Sequence, residues 1–147
     1  MKKFLIISVL VFVFLMGVIT HAEDRFAILI ATNDSRGNSL IRGEVNEREV
    51  FGVYTDGYKE FERALTAAET TAISNILASN EYRNLSNNKI YGCKTRIRGT
   101  PDFPRTLVVI YVGESRKEFH LHCGWGSVSN VPPVLTRLMD IAVDLMK

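Results

Sequence analysis

The amino-acid sequence predicts an α+β domain: an antiparallel sheet in the element order β-β-β-α-β-β-α, with helices packed on one face and one disulfide. Three observations predict it. Short runs with an apolar period of two lie on both sides of Thr66, and a capping box switches the period to about 3.6 at that residue. A proline-opened amphipathic segment follows Pro132, and the chain has two cysteines, Cys93 and Cys123.

Ahead of the first strand stands the pattern of an export leader. Lys2 and Lys3 precede an apolar run from Phe4 to Ile19, and Thr20-His21-Ala22 ends it with the small residues of a cleavage site. The alternative is an uncleaved anchor, although the run falls short of the roughly 20 apolar residues that span a membrane. The expectation is a signal peptide at residues 1–22 and one domain at 23–147, periplasmic or secreted, with no membrane contact after cleavage. Cleavage of 22 residues from the 147 leaves 125, enough to bury a core.

Arg25 to Thr32 is a compact apolar run and the first expected strand, followed by a polar loop from Asn33 to Ser39. Leu40 to Val45 and Glu49 to Tyr54 are the next two strands, the second ended by the Asp56-Gly57 turn. Thr66-Ala67-Ala68-Glu69 starts a helix, with Ala72, Ile73, Ile76 and Leu77 as its buried stripe and a short further turn through Tyr82 and Leu85. Lys89 to Gly99 reads as an edge strand or an extended loop pinned by the disulfide, and Thr100 to Pro104 as a rigid connection. A hairpin then joins Leu107–Val112 to Lys117–Cys123 through Gly113 to Arg116. Its expected register sets Ile110 against Phe119 and Val108 against Leu121 in the core, with His120 and His122 on the opposite side. The closing helix buries Val134, Leu135, Leu138, Ile141, Ala142 and Leu145, and turns Arg137, Asp140, Asp144 and Lys147 to water.

Charge narrows the function classes. Of 18 basic residues Lys2 and Lys3 lie in the leader and all 16 acidic ones lie beyond it, so the chain after cleavage is formally neutral. Net charge therefore gives no support to a nucleic-acid partner. The charges are segregated nonetheless: Glu44 to Glu69 holds seven acids against three bases, and Lys89 to Arg105 holds five bases against Asp102. Such segments are either partner surfaces or solvated faces. In an exported protein the expectation is that Cys93 and Cys123 pair with each other, the alternatives being free thiols or metal ligation, and the bridge would close a loop that contributes roughly 3 to 4 kcal/mol in the chain-entropy model.

The early strand pair, the V-Y-T-D-G turn at Val53 to Gly57, the L-T-A-A-E helix start at Leu65 to Glu69, the P-D-F segment at Pro101 to Phe103, the hairpin and the closing L-x-x-L-M helix form a pattern. It resembles small secreted bacterial domains of unassigned function and, more distantly, emfourin-type protease inhibitors. The resemblance implies an inhibitor-like exported module and transfers no catalytic or inhibitory residue.

Candidate sites come from the residues themselves. His120 and His122 alternate on a strand, about 6.5 to 7 Å apart on one face, and Glu118 shares that face as a third metal ligand. The alternative is a pair of histidines packed under a loop or partly solvated. Ser127 and Ser129 sit in no nucleophile elbow, and Gly124-Trp125-Gly126 has neither the spacing nor the lysine of a phosphate loop. The expectation is a non-enzyme without a cofactor. Trp125, the sole tryptophan, stands between two glycines that allow it to reach a surface as an anchor. Its alternative role is a lid over the last helix. Phe103 flanks the anchor if the disulfide draws the two loops together, and Arg96, Arg98 and Arg105 would ring it for a carboxylate-bearing partner. Three functions follow: a binding or inhibitor-like module for another exported or envelope protein, a metal-binding protein using the histidine pair, and a structural envelope component.

Overall fold

A computed structural model describes residues 25–34, 38–55, 58–93, 105–123 and 128–147. The expected leader at 1–22 lies outside them. The fold is α+β, and the expected disulfide is formed. Strands β1 (Phe26–Asn33), β2 (Ser39–Asn46), β3 (Glu49–Tyr54) and β4 (Lys59–Ala64) precede helices α1 (Ala67–Ala78) and α2 (Asn80–Arg83). Strands β5 (Lys89–Tyr91), β6 (Arg105–Val112) and β7 (Ser115–Leu121) follow, and α3 (Pro133–Leu145) closes the chain. The seven strands form one sheet in the order β4-β3-β2-β1-β6-β7-β5. Every neighbouring pair is antiparallel except β5 with β7, because the chain crosses the sheet between β4 and β5 through the two helices.

One face of the sheet and the helices share the core. Ile28, Val45, Val50, Val108, Ile110, Phe119 and Leu121 from the strands are fully buried with Ile73 of α1 and Leu135, Leu138 and Met139 of α3. Glycines let the end of α3 come this close. Gly43 and Gly52 face each other across β2 and β3, a Cβ on Gly43 would stand 2.8 Å from the Met146 thioether, and one on Gly52 would meet the Arg42 carbonyl at 2.3 Å. Tyr54 then donates its hydroxyl to the Met146 carbonyl.

The helix starts follow local chemistry. Thr66 Oγ1 accepts from the Glu69 amide at 3.3 Å and the Glu69 carboxylate accepts from the Thr66 amide at 2.8 Å, closing the expected capping box. Ala72 is exposed, so the buried stripe of α1 reduces to Ile73 and Leu77 with Ile76 half-buried. In α3 the expected face is inward, with Ile141 only partly buried and Met139 and Met146 added.

The sheet departs from the expected antiparallel β-β-β-α-β-β-α arrangement in three places, the first being the parallel edge strand β5. Strand β4, KEFERA, is an extra strand; its single large apolar residue, Phe61, packs on Tyr54 at 5.3 Å between ring centres. The hairpin register is shifted by two residues: Val112 pairs with Ser115, Ile110 with Lys117 and Val108 with Phe119. Gly113, at a φ of 55°, closes the turn with Glu114 alone, a left-handed position that favours glycine. An even shift keeps each residue on its face, so Phe119 and Leu121 stay in the core.

Lys117, on the covered face in either register, fastens α2 to the sheet. Its Nζ donates to the carbonyls of Tyr82 at 3.1 Å, Arg83 at 2.8 Å and Leu85 at 2.5 Å, at the end of α2 where helix carbonyls lose their regular partners. Desolvation holds its pKa below the ordinary lysine value.

Candidate functional site

The second face of the sheet is built by the alternate residues of the same strands. One cross-strand row runs Glu62, Phe51, Glu44, Leu29, Val109, Glu118, and the next runs Glu60, Val53, Arg42, Ala31, Leu107, His120. The run that fills β1, FAILIATN, is apolar on both sides of the sheet, so Ala27, Leu29 and Ala31 face away from the helices. Between the larger side chains Ala31 leaves a depression, and the face holds a trough of about 820 Å³. Its floor is Leu29, Ala31, Leu107 and Val109, and Phe51 and Val53 form one wall. Among the described residues no helix covers it: Leu29 is 36% exposed, Phe51 38% and the neighbouring Tyr111 39%. A concave, largely apolar surface with a few polar groups is the usual form of a binding site.

The rim is charged unevenly. On the β2–β4 side stand Glu44, Glu60 and Glu62 with Arg42, and among the described residues none of these four joins an ion pair. Glu60 accepts from the Tyr58 hydroxyl at 2.7 Å, a bond that holds this phenol above its ordinary pKa. Glu44 accepts from Asn46 at 3.3 Å. On the β7 side Glu118 is neutralised by its neighbours: Arg116 pairs with one carboxylate oxygen, and His120 Nε2 lies 2.6 Å from the other. Arg116 first and His120 second hold the Glu118 carboxyl below its ordinary value.

Of the residues expected to form a metal site, the sheet brings His120 and Glu118 together as a hydrogen-bonded pair. His122 lies past the end of β7, exposed, with its amide donating to the Tyr91 carbonyl at 3.0 Å. Among the described residues no group of three or more His, Cys, Asp or Glu side chains could hold a metal ion.

Of the expected loop anchor, Trp125, Phe103, Arg96 and Arg98 lie outside the described residues, as does Ser127. Arg105 is exposed at the start of β6 opposite Asn33. The ends of the tryptophan loop are described and tethered. Cys93 and Cys123 each stand two residues beyond their paired parallel strands, with Cα atoms 5.5 Å apart, and Val128 bridges back to Cys93. Ser129 spends both its amide and its hydroxyl on the Gly92 carbonyl, at 2.9 and 3.2 Å. A second cleft of about 800 Å³ opens between the helices and the β6–β7 turn, but its lysine, Lys117, is spent on the α2 carbonyls.

The trough residues carry signals that sequence reasoning did not use. An uninterrupted apolar strand in an antiparallel sheet leaves apolar residues on both faces, and the acid-rich segment from Glu44 to Glu69 supplies the rim. The fold and this face define the class: an α+β domain with one helix-covered and one open sheet face. In sequence the chain matches no protein-family model and no curated protein. Among the described residues no helix is long and apolar enough to cross a membrane.

Proposed function

We propose that the protein is an exported, non-enzymatic binding module of the inhibitor-like kind, and that it engages another exported or envelope protein through the open face of its sheet. The observation that carries this reading is the apolar trough bounded by Leu29 and Phe51, which among the described residues no helix covers, while the other face packs on α1 and α3. The leader-like segment at 1–22 and the disulfide support export, since disulfides persist in oxidising compartments. The test is affinity capture from an envelope extract with the disulfide-intact protein, with its Leu29→Gln/Phe51→Gln variant and with Arg137→Ala on the outer surface of α3. A captured protein lost from the double variant and kept by Arg137→Ala supports the reading. Loss on Trp125→Ala alone, with the double variant unaffected, moves the binding surface to the loop after β7.

A further inference from the structure

We infer that the occupant of the open face is a basic amphipathic helix from a partner protein. Its apolar side would lie on Leu29 and Val109, and its cationic side against Glu44, Glu60 and Glu62. This inference rests on the reading of that face as the binding surface.

Charge complementarity selects the chemistry. Among the described residues the trough pairs an apolar floor with three carboxylates and the one cation Arg42, and the unpaired carboxylates are concentrated on the β2–β4 side because Glu118 is already matched by Arg116 and His120. An occupant with lysine or arginine along one flank gains pairing at that rim, while an acidic one meets like charges that oppose it. A second copy of this chain, laid face to face, would bring the same three carboxylates into one interface, with Arg42 as the cation of each trough.

Geometry selects the helix. The floor lies on β1 and β6, with Arg42 and Glu44 of β2 between it and the β3 wall, so the trough as a whole crosses four strands spaced about 4.8 Å apart, a strip roughly 14 Å wide. A helix about 10 to 12 Å across fits that strip. A strand added at the sheet edge fits less well. Strand β4 at that edge carries Lys59, Glu60, Glu62 and Arg63 around Phe61, a charged edge of the kind that resists pairing with another strand.

The test uses two synthetic helical peptides of about 14 residues with one shared leucine face, one carrying lysines and the other glutamates on the polar side. Each is titrated into the disulfide-intact protein at low salt, with calorimetry for affinity and backbone amide shifts for location. The expected result is binding of the lysine peptide with shifts on β1, β2, β3 and β6, and binding of the glutamate peptide at least about tenfold weaker. Glu60→Gln/Glu62→Gln should weaken the lysine peptide by roughly 3- to 10-fold and flatten its salt dependence. Equal affinity for the two peptides at the trough overturns the basic occupant and leaves the binding face standing. Dimerisation that Leu29→Gln/Phe51→Gln abolishes overturns it too, by assigning the face to a second copy. Shifts at no trough residue, with no dimer, overturn both the occupant and the face.

Discussion

The two faces of one sheet differ in what covers them, although the same strands build both. On the helix-covered face Ile28, Val50, Val108, Ile110 and Phe119 are fully buried against α1 and α3. On the open face Leu29, Phe51 and Tyr111 each keep more than a third of their surface in water. Ile28 and Leu29, Val50 and Phe51, and Ile110 and Tyr111 are adjacent in the sequence, so strand propensity does not separate the two sets. The difference lies in the layer above. Residues under the helices contribute most of the stability, whereas apolar groups left in water give up that contribution and are available to a partner.

The largest effect expected from this contrast is on a matched pair of phenylalanines. Phe119→Ala removes a fully buried ring and should cost about 3 to 5 kcal/mol in denaturant-induced unfolding. Phe51→Ala, on the open face at 38% exposure, should cost about 1 kcal/mol or less. Equal costs would break the contrast and place Phe51 in the core. Next in size, Cys93→Ser with Cys123→Ser should lower stability by roughly 3 to 4 kcal/mol, because the bridge closes a loop across 30 positions.

Lys117→Met sharpens the comparison at a polar site of the covered face. It leaves three carbonyls of α2 and its following turn without their ammonium partner and should cost about 1 to 3 kcal/mol. Hydrogen exchange should accelerate in α2 before it does in β6; uniform acceleration would deny the lysine its fastening role.

The smallest effect concerns the α1 start. The Arg63 guanidinium first, and the Thr66 amide after it, lower the Glu69 pKa from 4.5 to about 2. A carboxyl depressed in the folded state stabilises above its unfolded value and loses that contribution as pH falls through the folded one. The melting temperature of the parent protein should therefore exceed that of Glu69→Gln at neutral pH and converge on it between pH 4.5 and about 2. A constant difference across that window would rule out the pairing as its cause.

Much of the fold was legible because its signals are local. The capping box at Thr66, the prolines before α3 and the alternation in β6 and β7 each depend on residues within a turn or a strand of one another. Strand β4 was not legible: its six residues KEFERA are mostly charged, and it is held by its neighbour β3 and by Phe61 on Tyr54 rather than by an apolar period. The two-residue hairpin escaped for a related reason, since Gly113 could equally have begun a four-residue turn and only pairing chooses between them. The trough was half legible. Its floor is present in the run Ala27 to Ala31 and its rim in the acids after Glu44, but the two are joined only by lateral register.

By itself, then, the sequence determined the α+β class, the pairing of Cys93 with Cys123, the inward faces of α1 and α3 and the core side of β6 and β7. These follow from periodicity, capping and the chemistry of two cysteines, all of which act over short spans of chain or admit one partner. The tertiary structure decided the order of strands, the register of the hairpin and the covering of one sheet face by α1 and α3. Period-two alternation distinguishes the two sides of a strand, but which side meets a helix depends on where the crossover between β4 and β5 carries the chain.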